Sequence, residues 1–297
     1  MGHLGQHHAR LLAGSPDVEL VGVVDVKPGR AQEIAAKYGT AVLADSAEAL
    51  SKKVDAVTIA APTAVHVDVA LPFLDAGIGV LVEKPIAASL AEADRLVEAA
   101  AHSRAVLAIG HTERFNPAVV AALPLISAPR FIEVHRLGTF PERSLDIDVI
   151  FDLMIHDLDL LLSVVGSEVT SVEAVGVNVL TPKVDIANAR LRFASGCIAN
   201  ITASRISRDR VRKVRFFQND AYVSIDYAAQ EVEVYRLVAH DGRPAIQGGA
   251  LTIEKDEPLH RELVDFVDAV RTGRRPGVTG IEGREALALA TRVAELM

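Results

Sequence analysis

From residue 18 to residue 110 the chain alternates short apolar, β-branched runs with amphipathic stretches. Residues 18–26, 41–43, 54–60, 79–82 and 105–110 read as strands. Their continuous apolar character is that of strands buried on both faces. Residues 3–13, 30–38, 46–51, 66–76 and 90–101 read as helices, with Gly14-Ser15-Pro16, Gly39 and Gly77 as stops. Strands that alternate with helices of about ten residues predict a parallel, doubly wound α/β sheet.

After residue 112 the pattern changes. Residues 130–137 alternate, 147–165 read as one helix, and strands follow at 169–180, 186–194, 197–204, 211–218, 221–226 and 231–238. Residues 241–249 read as a loop, and 258–271 and 281–297 as helices. This second part is predicted to be α+β, on a largely antiparallel sheet with one solvated face. The 297 residues suit two domains, here 1–112 and 113–297.

Composition narrows the function classes. The chain carries 31 Lys and Arg against 39 Asp and Glu, a formal charge of −8, which argues against a broad nucleic-acid-binding face. Its one cysteine, Cys197, can form no intramolecular disulfide and no cysteine-based zinc site, and reads as a small buried filler. Together with a first segment (MGHLGQHH) that has no secretory pattern, this predicts a cytoplasmic protein with no membrane partner. No apolar run reaches the roughly 18–20 residues that cross a bilayer.

Gly2-His3-Leu4-Gly5 followed by a helix resembles the second half of a dinucleotide-binding turn, G-x-G-x-x-G. In such turns the backbone approaches a pyrophosphate held at the helix N-terminus. Asp25 follows Gly5 at the spacing expected of the acid that accepts from the ribose hydroxyls and disfavours a 2′-phosphate. The first glycine and the strand before it are not in the sequence. Either the natural chain starts upstream or the sheet lacks its central strand. The first is the expectation, since a missing central strand exposes unpaired edges.

Ala60-Ala61-Pro62-Thr63 with His66, then Glu83-Lys84-Pro85 at a strand end, then Asp152-Leu153-Met154-Ile155-His156 on a helix resemble the Gfo/Idh/MocA oxidoreductases. The similarity runs to the closing Glu257-Pro258-Leu259 and Pro276–Gly283 segments. Within that family, GHTERFNP (110–117) and DLMIHDLD (152–159) are most similar to the members that oxidise UDP-N-acetylglucosamine at C3 in diamino-sugar lipid A synthesis. Ile147-Asp148 departs from the Gly-Gly that many relatives carry there. The resemblance implies an N-terminal Rossmann-like domain with NAD as cofactor, and a C-terminal sheet that binds a sugar or nucleotide-sugar and forms a homodimer or homotetramer. It implies cofactor contacts from Gly2, His3, Leu4, Gly5, Asp25, Arg30, Ala61, Pro62, Thr63, His66, Glu83 and Lys84. Lys84, His156 and Asp152 are the expected catalytic residues, and Arg114, Asn116, Asp152, His156 and Arg205 the expected substrate contacts.

Each residue also has a plainer reading. Lys84 could be a surface lysine paired with Glu83; a partly desolvated lysine at a strand end instead has a lowered pKa and can accept a proton. Asp152 and His156, four apart, share one face of a regular helix, and a carboxylate one turn away can orient an imidazole. With Asp159 they could also form a divalent metal site, a reading not adopted because hydride transfer to NAD needs no metal. His7 and His8 read as solvated or packed. Arg205, Arg208, Arg210, Arg212, Lys213 and Arg215, against Asp209 alone, form a local basic run that suits a pyrophosphate, or a solvated strand face. The expected function is NAD-dependent oxidation of a sugar hydroxyl to a keto-sugar. The alternatives are another sugar or inositol dehydrogenase and a non-catalytic nucleotide-sugar-binding protein.

Overall fold

The computed structural model describes residues 1–140, 147–240 and 243–297. It forms two compact units: Met1–His111 with Leu259–Arg284, and Thr112–Pro258 with Glu285–Met297. The single boundary at residue 112 therefore does not describe the end of the chain. Leu259, Leu263 and Phe266 bury their side chains against Leu81 and Ala108 of the first unit, so a late segment completes an early core.

The first unit alternates α1 (Gly5–Ala13), β1 (Gly22–Val23), α2 (Pro28–Tyr38), β2 (Ala41–Val42), α3 (Ser46–Ser51), β3 (Ala56–Ile59), α4 (His66–Asp75), β4 (Gly79–Glu83), α5 (Leu90–Ser103) and β5 (Leu107–Gly110). Local chemistry sets many of these bounds. Pro28 opens α2, and Gly39 in the left-handed region closes it. Asp45 accepts from Glu48 N while Glu48 accepts from Ala44 N, and Ser89 and Glu92 do the same for α5. β4 is buried throughout, as its unbroken apolar run requires.

All strand pairs here are parallel, but they fall into two sheets, β1-β2 and β3-β4-β5. The long strand expected over 18–26 is realised only at Gly22–Val23, the two residues that find a partner, in Ala41–Val42. Apolar character makes a segment fit for a strand, but only a partnered ladder makes it one.

In the second unit α6 (Pro117–Ala122), β6 (Phe131–Leu137) and α7 (Ile155–Val165) precede β7 (Val169–Val177), β8 (Ile186–Phe193), β9 (Ile198–Ser204), β10 (Val211–Phe217), β11 (Ala221–Asp226), β12 (Glu231–His240) and β13 (Arg243–Ala250). These strands form one eight-stranded sheet in the order β13-β12-β11-β10-β6-β9-β8-β7. It is antiparallel except for β6 and β9. One face is buried: Ile132, Val134, Ala189, Leu191, Val214 and Phe216 pack with Leu158 and Leu161 of α7. α8 (Pro258–Thr272) lies almost wholly in the first unit, and α9 (Gly280–Ala294) begins there and ends here, with Leu289 and Val293 in this core.

Two expectations fail in this unit. The loop expected over 241–249 is a strand from Arg243 onward; Asp241 and Gly242 lie outside the described residues. β13 has no apolar alternation and is held by its ladder to β12. Gly248 makes that approach possible, because a Cβ there would stand 1.9 Å from Val234 O. The single helix expected over 147–165 opens instead as a wider π-helical turn, Ile150–Met154, before α7. Asp152 lies in the wider turn and His156 in the first turn of α7.

Candidate active site

In parallel sheets ligands bind beyond the C-terminal ends of the strands. In the first unit those ends are Ala60-Ala61-Pro62 after β3, Glu83-Lys84-Pro85 at β4 and Gly110-His111 at β5. Pro62 leads into a 3-10 turn, Thr63–Val65, and His66 begins α4. The His66 ring is buried, with Nδ1 3.0 Å from Pro85 O and Nε2 2.9 Å from Ala61 O. Both ring nitrogens thus face main-chain carbonyls. The imidazole braces the Ala61 turn against Pro85, beside the strand ends where a cofactor contact of His66 is expected.

Glu83 also has a bracing contact. Its carboxylate is buried and lies 3.0 Å from His8 Nε2 on α1. It also packs so tightly on Gly110 that a Cβ there would be 2.8 Å from Glu83 Oε2. A buried pair between α1 and β4 fixes the backbone one residue before Lys84, so Glu83 acts on the site through position. His8, read from sequence as solvated or packed, is its partner. Lys84 is half-buried.

The glycine turn opens α1 at Gly5, where Leu4, the capping residue, makes no side-chain cap. The first N–H groups therefore depend on main chain, solvent or ligand. Gly2 and His3 are exposed, and a Cβ at Gly2 would meet nothing within 4 Å. The Asp25 carboxylate accepts from Lys27 N at 2.7 Å and from the Met1 ammonium. Burial alone raises its pKa, but these two donors outweigh that and hold it below the usual carboxylate range. Arg30 donates to Met1 O, Gln6 and Glu33 at 2.7, 2.9 and 2.6 Å. An uncapped helix start after an open glycine, with an ionised acid at the ribose position, fits NAD.

In the second unit a 3-10 turn, Thr112–Phe115, carries Glu113 and Arg114. Asn116 follows as the cap of α6: Oδ1 accepts from Ala118 N at 3.1 Å and Nδ2 donates to Tyr227 O at 3.0 Å. At 2% exposure it is a buried brace of the α6 start. Asp152 and His156 are half-buried. Asp159 lies 4.0 Å from Arg114 Nη1.

Beside His156 is a group that the sequence reading missed. Arg136 of β6 donates Nε and Nη2 to the two oxygens of Asp157, at 2.6 and 2.9 Å, and Nη1 to Glu113 at 3.0 Å. Its guanidinium lies 5.3 Å from the Tyr227 ring centroid. Burial raises the Asp157 pKa against the pull of Arg136, and raises that of the Tyr227 phenol well above its ordinary value. Burial alone lowers the Arg136 pKa, but Asp157 and Glu113 more than reverse this. One signal was available: in β6 the inward positions run Ile132, Val134, Arg136, so a charge occupies an apolar phase.

Arg205, expected as a substrate contact, is engaged inside the protein. It is 2% exposed, and its guanidinium serves Asp185 Oδ1 at 2.9 Å, Ile147 O at 2.7 Å, Thr181 Oγ1 at 3.3 Å and Val184 O at 3.2 Å. Asp185 in turn accepts from Val179, Leu180 and Thr181 N, which ends β7 three residues earlier than its sequence suggests. Cys197 is buried, which pushes its thiol up to about 11. Among the described residues no three His, Cys, Asp or Glu side chains group to hold a metal ion, and no helix is long and apolar enough to cross a membrane.

A parallel βα unit with a glycine turn at a helix start, an ionised acid after the next strand and a lysine at a strand end is an arrangement that suits an NAD-linked oxidoreductase. Residues 1–111 match the description "Oxidoreductase family, NAD-binding Rossmann fold", and residues 130–223 match "GFO/IDH/MocA C-terminal domain". The chain belongs to the GFO/IDH/MocA family of oxidoreductases, with NAD as its cofactor. It is 40% identical to the UDP-N-acetylglucosamine 3-dehydrogenase of Acidithiobacillus ferrooxidans, over 99% of this chain and 94% of that protein. A solved structure of that enzyme has a TM-score of 0.93 at 39% identity, covering 100% of this chain and 95% of the other. The inositol 2-dehydrogenase of Rhizobium meliloti is 28% identical over 97% of this chain and 92% of its own.

Proposed function

We propose that this protein oxidises the C3 hydroxyl of UDP-N-acetylglucosamine to a ketone. The observation that carries this reading is the 40% identity, over 99% of the chain, to an enzyme named for that reaction. Lys84 Nζ takes the hydroxyl proton as the C–H bond breaks, His156 positions or relays it, and Asp152 and Arg114 bind the sugar. The His8–Glu83 pair holds the backbone next to Lys84, and the Asp157–Arg136 pair holds the helix next to His156. NAD, when bound, supplies the hydride acceptor. Much of the rate comes from holding the reacting carbon in place.

A 3-keto-sugar suits amination, and the proposed place of the reaction is diamino-sugar synthesis for lipid A, in the cytoplasm. The proposed assembly is a homodimer or homotetramer through the outer face of the large sheet. Phe131, Phe217, Tyr222 and Tyr235 form a row across that face, with ring centroids 5.6, 5.3 and 6.2 Å apart. Leu237 and Ile246 are exposed on neighbouring strands. Such a patch suits burial against a second copy.

The test is NADH fluorescence with UDP-N-acetylglucosamine, UDP-glucose, glucose and myo-inositol offered separately. The first is expected to give the highest kcat/KM. Fastest turnover of myo-inositol would transfer the assignment to the inositol dehydrogenases, to which the 28% identical relative belongs.

A further inference from the structure

The basic run that drew attention in the sequence does not act as one patch. Arg205 is consumed inside the protein. Lys213 pairs with Asp226 at 3.2 Å and Arg215 with Glu133 at 3.0 Å, across strands on the outer face. Arg212 differs from all three. It lies on the other face of β10, in phase with buried Val214 and Phe216, yet its own side chain is exposed. In the β6–β10 ladder it stands directly opposite Arg136.

Like charges opposed across an antiparallel pair are destabilising. The two acids nearest Arg212, Asp157 and Glu113, accept hydrogen bonds from Arg136 and act on Arg212 only as charges. No described side chain forms a hydrogen bond or ion pair with Arg212. Exposed Arg210, two residues away, adds another positive charge; among the described residues its guanidinium contacts the Thr139 hydroxyl, at 3.3–3.4 Å. Desolvation, and then the Arg136 charge, push the Arg212 pKa below its ordinary value against the opposing pull of Glu113 and Asp157. That charge lies beside the Arg136–Asp157–Glu113 group, whose acids directly follow His156 and Thr112.

We propose that Arg212, assisted by Arg210, is an oxyanion subsite that holds the diphosphate of a nucleoside diphosphate sugar. A guanidinium fork matches two phosphate oxygens, and the bound anion offsets the like charges. The subsite discriminates nucleotide-sugars from free sugars and inositols. The assignment rests on the nucleotide-sugar reading above.

The test compares the parent with Arg212→Gln and Arg212→Lys, each checked for an unchanged thermal midpoint. Titration calorimetry with UDP and with inorganic pyrophosphate is expected to show Kd raised roughly 10- to 100-fold in Arg212→Gln, the size of one or two hydrogen bonds to a charged group. Arg212→Lys should recover part of this. In turnover, KM for UDP-N-acetylglucosamine should rise by a similar factor while kcat stays within threefold. Parent turnover of UDP-N-acetylglucosamine with unchanged Kd and KM in Arg212→Gln overturns the subsite and leaves the function standing. Parent turnover of an inositol alone overturns the function. The pyrophosphate titration then decides the subsite by itself: a lost affinity supports it, and equal affinity in parent and variant overturns it.

Discussion

The two units place their chemistry by different means. In the first, the candidate residues lie at strand ends and turn starts, where main chain fixes them: Pro62 after β3, Lys84 after Glu83, Gly5 at the opening of α1. In the second, a buried side-chain network does that work. Arg136 from β6, Asp157 from α7, Glu113 from a 3-10 turn and Tyr227 just after β11 meet in a largely buried group. Strand-end sites can change a side chain without disturbing the fold. A site held by buried ion pairs cannot, because removing one partner strands the other charge. Substitutions of strand-end and turn residues such as Lys84 and Asp25 should therefore cost rate or affinity, and those in the buried network of the second unit should cost stability as well.

The largest effect tests the first half of that contrast. Lys84→Met should lower kcat by about 10²–10⁴, the usual cost of losing a general base, with NAD affinity and thermal midpoint unchanged. His156→Asn should cost the same or less, and the double variant little more than the worse single one, since groups in one proton-transfer unit fail together. Steady-state NADH production and a thermal melt check both. Lys84→Met within threefold of the parent would remove Lys84 from the reaction, and a large fall in its melting point would break the contrast.

Next comes Asp185→Asn, which leaves Arg205 buried without its carboxylate. Loss of one member of such a pair costs about 3–5 kcal/mol, read as a lower urea midpoint at pH 7. The Asp185 carboxyl is held far below the usual range: burial raises its pKa, but donors from Leu180, Thr181 and Arg205 more than offset this. Its folded pKa is thus depressed, so its stabilisation is full above the unfolded value of about 3.9 and is lost as pH falls through the folded one. The gap between parent and variant should accordingly narrow from pH 7 to pH 3. A gap that widens in acid would show that the carboxylate is not what holds this loop.

The smallest effect returns to the first unit. Asp25→Ala should reduce the preference for NAD over NADP by about tenfold, roughly the worth of one hydrogen bond to a charged group. Fluorescence titration of both reduced cofactors measures it. An unchanged ratio would place the ribose acid elsewhere.

Periodicity and capping chemistry were enough to read the βα alternation, the antiparallel character of the second part, most helix limits and the strand-end position of Lys84. Those features are local: a 2.0 or 3.6 repeat and a Ser, Asp, Gly or Pro at a boundary carry the information within a few residues. The sequence could not decide which polar residues would be exposed. Arg205, Asn116, Glu83 and His66 read as ligand contacts in the chain, and the buried bracing that the fold gives them was not legible there, because Asp185, Tyr227, His8 and the Ala61 and Pro85 carbonyls come to them from elsewhere. Arg136 and Asp157 lie 21 positions apart, with no spacing rule to join them. The strand over Arg243–Ala250 exists only because β12 supplies its ladder. A buried charge survives only with a partner, and a strand only with a neighbour. Both conditions belong to the folded chain, and residues far apart in sequence meet them only there.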